Sequence, residues 1–292
     1  MSQAVSGETV SSNSAYALSG VSFSYVRKGA DEPASRRALD GITLEVRPGE
    51  VLGILGPNGS GKSSLLKVLA RLVRPQAGTV TLFGRDVGAM PQVELAKTVA
   101  FVPQENPVVF PFSVAETVLM GRFAHHRRGL GFSGLGWEGP EDLRVAEAAM
   151  RDTDVLHLAS RSIADVSGGE RQRAMIARAL TQEPNVLLLD EPTAFLDLHH
   201  QVDVCGLLRR LNEERGLTVV LVSHDLNLAA QYCDRLVLLN RGRIACIGRP
   251  DEVIRPDVLE AVYCCPVLVD GHPQSGLPRV TLPGRHGVKR EA

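Results

Sequence analysis

Residues 51–69 read VLGILGPNGSGKSSLLKVL: a short apolar run, a glycine-rich turn, then leucines at helical spacing. This order constrains the fold more than any other feature of the chain. A continuously apolar strand is buried on both faces, which places it inside a largely parallel sheet. A glycine-rich connection into a helix N-terminus is built to hold an anion. Gly56, Pro57, Asn58, Gly59, Ser60, Gly61, Lys62 and Ser63 fit G-x-x-x-x-G-K-[ST] at every specified position, with Ser64 following. The glycines let successive N–H groups turn onto phosphate oxygens, Lys62 reaches the β/γ-phosphates, and the Ser63 hydroxyl offers a ligand to Mg²⁺.

The same texture recurs along the chain. NVLLLD (185–190) and LTVVLVSH (217–224) are further buried-strand runs, separated by the helical HHQVDVCGLLRRLNEE (199–214). YALSGVSFSY (16–25) alternates as a half-buried strand does, and ALDGITLEV is a second strand turned at Pro48-Gly49. SSLLKVLARLV spaces Leu65, Leu66, Leu69 and Leu72 as a helix, and RLVLLNRGRIACIG (235–248) fits a hairpin. Strands alternating with helices define an α/β domain, whose ligands lie beyond the carboxyl ends of the strands.

Residues 105–175 read as a helical insert, interrupted by a Gly-rich surface loop at 127–140. Residues 26–37 read as an exposed loop. The expected organisation is a disordered leader over 1–14, one domain over 15–284, and a frayed tail over 285–292. The leader lacks the basic start and apolar centre of a signal peptide. No run of roughly 18 apolar residues occurs, so no membrane span is expected. The chain has 32 basic and 33 acidic residues, a balance that argues against a general nucleic-acid binder. Cys205, Cys233, Cys246, Cys264 and Cys265 lack metal-ligand spacing and read as ordinary thiols.

Several polar residues fall where phosphate chemistry needs them. Asp190 ends an apolar run, the place for a carboxylate that holds Mg²⁺, and Glu191 beyond it suits a general base for an attacking water. His224 ends the next buried run and therefore reaches the same sheet edge. Gln104 follows the strand-like TVAFVP and precedes the insert, placed to touch metal and water. His125, His126, His199 and His200 lack such placement and read as surface or helix residues. VSGGE (166–170) is a second anion cradle without a lysine or a preceding strand, with Ser167, Gly168 and Gly169 able to close over a phosphate held elsewhere.

In chain order, Tyr25, GPNGSGKS, Gln104, VSGGERQR, NVLLLDE, AFLD ending at Asp197, and His224 resemble the ATP-binding subunits of ABC transporters over roughly residues 16–280. The resemblance implies a P-loop NTPase (RecA-like) α/β core with an N-terminal antiparallel β subdomain and the helical insert. It implies ATP and Mg²⁺ as ligands, with Tyr25, or the nearby Tyr16 or Phe23, stacking adenine. Ser63, Gln104 and Asp190 would serve the metal, and Glu191 and His224 the hydrolysis. The resemblance also answers why one domain has two cradles. Ser167, Gly168, Gly169 and Glu170 would cap the ATP of a partner subunit in a head-to-tail homodimer, coupled through Asp197. Val166 and Glu170 stand where the family usually has Leu and Gln.

FLDLHHQVDVCGLLRRL, SHDLNLAAQYCDRLVLLNRGRI and GRPDEVI resemble the branch that energises uptake of ferric siderophores, haem or cobalamin, siderophores first. That branch implies integral membrane permease subunits, indirectly a substrate-binding protein, no nucleic acid, and a peripheral place on the cytoplasmic face of the inner membrane. The alternatives are the ATPase of another ABC importer or exporter, or a soluble ABC ATPase without a transport role.

Overall fold

The structure, a computed structural model, describes residues 14–25, 37–104, 110–125 and 139–284. Most of the expected leader, the 26–37 and 127–140 loops and the 285–292 tail lie outside the described residues.

The strands are β1 (Tyr16–Phe23), β2 (Leu39–Val46), β3 (Val51–Leu55), β4 (Ala77–Leu82), β5 (Arg85–Asp86), β6 (Val99–Val102), β7 (Val186–Asp190), β8 (Thr218–Val222), β9 (Arg235–Asn240), β10 (Arg243–Gly248), β11 (Leu268–Gly271) and β12 (Pro278–Thr281). The helices are α1 (Lys62–Leu69), α2 (Gln92–Thr98), α3 (Val114–Leu119), α4 (Pro140–Asp152), α5 (Gly168–Leu180), α6 (Leu198–Arg215), α7 (Leu226–Tyr232), α8 (Pro250–Val253) and α9 (Pro256–Tyr263).

The central sheet has the order β10-β9-β3-β8-β7-β6. All its pairings are parallel except the antiparallel edge strand β10. Its strands alternate between two apolar layers. Leu52, Ile54, Leu188, Val220 and Val222 face one layer, while Val51, Leu55, Leu189, Val219 and Leu221 face the other. Both faces are therefore covered, which is why these strands read as unbroken apolar runs. The first layer is closed by the antiparallel sheet β2-β1-β4-β5. The second is closed by α3, α4, α5 and α6.

The insert is helical over α3, α4 and α5, but α5 continues past Met175 without a break. Its distal residues Ile176, Ala177, Ala179 and Leu180 are buried in the second layer, so one helix belongs to both insert and core. Arg122 reinforces this join. Its Nε donates to Asp142 of α4 at 2.8 Å, and its Nη1 donates to the Thr181 carbonyl and Glu183 at 2.8 and 2.7 Å. Arg122 is only 5% exposed. Arg122→Met is expected to cost about 3 kcal/mol, because it strands the largely buried Asp142 carboxylate. Urea unfolding checks this; a loss below about 0.5 kcal/mol would place the pair among ordinary surface ion pairs.

One local reading changes. Leu72 is 58% exposed and lies beyond α1. The helix ends because Arg71 takes a positive φ of 53° and sends its guanidinium to the Val87 and Met90 carbonyls, a tertiary contact that overrides helical spacing. The polar chain after Val269 forms the β11–β12 hairpin. Val269 and Val280 pack against the second layer, Arg279 grips Asp270 with two hydrogen bonds, and Asn227 of α7 exchanges two with Val280. Among the described residues no helix is long and apolar enough to cross a membrane.

Candidate functional site

Parallel pairing of β3, β8, β7 and β6 brings four chain segments to one sheet edge. The Gly56–Lys62 loop leaves β3, Asp190 and Glu191 end β7, Ser223 and His224 follow β8, and Gln104 follows β6. Gly56, Gly59 and Gly61 of the loop all have positive φ. Lys62 folds its ammonium over the loop, donating to the Gly56 and Pro57 carbonyls at 2.9 and 3.2 Å. Burial pulls its pKa down, against the raising pull of the Glu191 and Asp190 carboxylates. An anion entering here meets a largely desolvated cation and the N-terminal end of α1.

Two features fit a phosphate with its divalent cation. Ser60 is 1% exposed, and its Oγ has no hydrogen-bond partner among the described residues. Ser63 Oγ donates to Asp190 Oδ1 at 3.0 Å. Two oxygens on adjacent corners of an octahedral Mg²⁺ shell lie about 2.9 Å apart, so this pair has the spacing such an ion needs. Burial raises the Asp190 pKa, offset by the Ser63 hydroxyl. A dication beside it would favour the carboxylate form.

Glu191 lies beside this pair at a positive φ of 52°, a strained position for a residue with a side chain. Its carboxylate is gripped from both sides. Gln104 Nε2 donates to Oε2 at 2.6 Å, and His224 Nε2 lies against Oε1. The structure thus joins Gln104 to Glu191; among the described residues no hydrogen bond links Gln104 to Ser63 or Asp190. A carboxylate held by two side chains from separate strand ends is positioned to orient a water and accept its proton.

Tyr25 is half exposed, edge-on to Phe23 with ring centroids 4.8 Å apart. Its hydroxyl lies 3.4 Å from Ser64 Oγ, which sets an exposed aromatic face beside the phosphate loop. Tyr16 and Phe23 are core residues, and Tyr16 donates to the Leu69 carbonyl at 2.9 Å, so neither is available for stacking. Sequence reasoning missed Tyr263, at the end of α9. Its phenol engages the Gly56 backbone, and burial pushes its pKa up to about 12. A tyrosine so far along the chain carries no local signal of this contact.

The second cradle stands apart. Ser167 caps α5 in a reciprocal box: its N–H donates to Glu170 at 2.8 Å, and its Oγ accepts from the Glu170 N–H at 3.3 Å. The Ser167 N–H, and then the Ser167 hydroxyl, hold the Glu170 carboxyl below the usual range. Gly168 and Gly169 face Leu196 and His200. Asp197 caps α6 by accepting from the His200 N–H at 3.0 Å. Among the described residues no hydrogen bond or ion pair joins Ser167–Glu170 to Gly56–Ser64. Next to Asp197, Phe195 and Leu198 are 91% and 80% exposed.

Fold and site together define a nucleotide triphosphatase: a phosphate loop leaving a central parallel strand, with acidic residues ending a neighbouring one. The ABC transporter family model matches residues 39–194. The chain is 45% identical to a hemin import ATP-binding protein of Gloeobacter violaceus, over 87% of this chain and 92% of that one. It is 42% identical to a cobalamin import ATP-binding protein of Halobacterium salinarum, over 87% of this chain and 62% of that longer one. A metal-chelate type ABC transporter solved in an inward-facing conformation superimposes with a TM-score of 0.78 at 28% identity, covering 94% of this chain and 99% of that chain. The chain belongs to the ABC transporter family, as an ATP-binding, ATP-hydrolysing subunit.

Proposed function

We propose that this chain powers import of a metal chelate through a separate membrane permease, working as a homodimer on the cytoplasmic face of the membrane. The observation that carries the reading is the division of the chemistry. Lys62, Ser63, Asp190, Glu191, Gln104 and His224 converge, while the second anion cradle stands apart from them and lies beside an exposed apolar Phe195-Leu198 segment. A second copy placed head to tail puts each Ser167–Glu170 over the other's nucleotide, and C₂ symmetry completes two identical sites. Asp197, which caps the helix beside that cradle, couples the two.

In this reading Tyr25 stacks the adenine, and Gly56–Ser64 hold the phosphates. Ser63 and Asp190 would hold Mg²⁺, with Gln104 at its edge, and the bound ion would supply positive charge to the phosphates. Lys62 and His224 stabilise the transferred phosphoryl group, and Glu191 accepts the proton of the attacking water. ATP must loosen the Gln104–Glu191 bond to seat that water, so Gln104 reports the nucleotide to the insert that begins directly after it. Phe110 and Phe112 expose 62% and 40% of their surface on this insert and offer an apolar seat for a permease helix.

The relatives named for hemin and cobalamin import, with the branch motifs, support a chelated metal as cargo: haem, cobalamin or a ferric siderophore. Cells lacking this chain, complemented with the native form or Glu191→Gln, test the reading by uptake of each labelled chelate. Uptake of one chelate restored only by the native chain is the expected result and names the cargo. Uptake of all three unaffected by loss of the chain overturns it.

A further inference from the structure

The first turns of α6 bring together three metal-ligating side chains outside the nucleotide site. His199, His200 and Asp203 each offer a ligand atom, all within 4.8 Å of one another. His199 Nε2 lies 3.4 Å from Asp203 Oδ2, and His200 Nδ1 lies 3.9 Å from the same oxygen. Ligand atoms at about 2.1 Å from a tetrahedral Zn²⁺ are about 3.4 Å apart, so the His199–Asp203 edge already has the required length. The spacing follows from the helix: i and i+4, and i and i+3, share a face.

An ordinary helix-surface ion pair accounts for His199 and Asp203 but not for His200. Its Nδ1 is buried and has no hydrogen-bond partner among the described residues. The ring is locked by packing: a Cβ placed on Gly169 would lie 2.5 Å from it. A buried, unsatisfied imidazole nitrogen beside a carboxylate is what a bound cation would satisfy. We propose that His199, His200 and Asp203 form a site for a divalent transition metal of the Zn²⁺ class, two imidazoles and one carboxylate leaving a coordination position open.

The site's place gives it a consequence. The His200 N–H is held by Asp197, and the His200 ring lies under Gly169. A metal there stiffens the cradle that the homodimer reading sets over the partner's nucleotide and the Asp197 cap it uses for coupling, and so slows ATP turnover. This consequence, unlike the site itself, rests on that reading.

Zn²⁺ titration of the untagged full-length chain, by calorimetry and by Co²⁺ absorption spectroscopy, tests the site directly. One ion per chain is expected, with affinity at least tenfold weaker in His199→Ala and in Asp203→Asn and unchanged in Cys264→Ser/Cys265→Ser. Equal affinity in native, His199→Ala and Asp203→Asn chains overturns the site, as does a thiolate charge-transfer band with Co²⁺. Saturating Zn²⁺ is then expected to slow ATP hydrolysis by the native chain several-fold more than by His199→Ala. Equal slowing of both, or none in either, overturns the coupling while the binding data judge the site.

Discussion

Glu191→Gln is expected to lower ATP hydrolysis by about 10²–10⁴-fold while ATP binding persists. The substitution conserves shape and removes only the capacity to take a proton. It also leaves the local hydrogen bonds intact. The amide oxygen still accepts from Gln104, and the amide nitrogen donates to His224 Nε2 once that ring carries its proton on Nδ1. Both present partners of the carboxylate are thereby kept. Because the 10% exposed Glu191 side chain sits in a packed site, the loss comes from chemistry rather than from folding. Steady-state phosphate release measures the rate, and nucleotide titration measures the binding. Light scattering with ATP and Mg²⁺ should then show twice the monomer mass, since closure without hydrolysis traps the dimer. Hydrolysis within threefold of native would remove Glu191 from the role of general base.

Gly56→Ala is expected to cost about 3 kcal/mol or more and to abolish ATP binding, combining backbone strain with overpacking. Gly56 has a φ of 143°, where L-residues are strained, and an added Cβ would lie 2.3 Å from the Leu239 carbonyl oxygen. That oxygen belongs to β9, paired with both β3 and β10, so it cannot withdraw without breaking the central sheet. Gly59→Ala is the control. Gly59 also has a positive φ, 74°, but an added Cβ meets nothing within 4 Å, so only the conformational cost of about 1–2 kcal/mol is expected. Urea unfolding and a fluorescent ATP analogue compare the two. Equal, small effects of both substitutions would show that the close approach of β9 does not matter.

Legibility in the amino-acid sequence depends on how local each signal is. The phosphate loop, Asp190 and His224 announce themselves because each ends an apolar run, and parallel strands deliver their carboxyl ends to one edge. The positions of Lys62, Ser63 and Asp190 follow from that rule alone. Gln104 is legible as a site residue, but its partner is not: a long amide at a strand end reaches several groups, and packing selects Glu191. Leu72 reads as helical because the apolar spacing continues past Ala70, while the Arg71 contact with Val87 and Met90 ends the helix. The β11–β12 hairpin gives little apolar pattern because few of its side chains, Val269 and Val280, pack on the core, and pairs such as Asp270–Arg279 add a polar hold.

The sequence by itself determined the α/β layout and the residues that meet phosphate. Strand burial and the glycine loop are written in contiguous residues, whose periodicity and backbone needs are local. Only the tertiary structure decided what lies against those residues. Tyr263 reaches Gly56, Arg122 ties the insert to the core, and α5 packs on α6 so that Gly169 covers His200. Such contacts depend on the angles and separations at which distant elements pack. Burial of many side chains at once fixes these, and no short stretch of sequence encodes them.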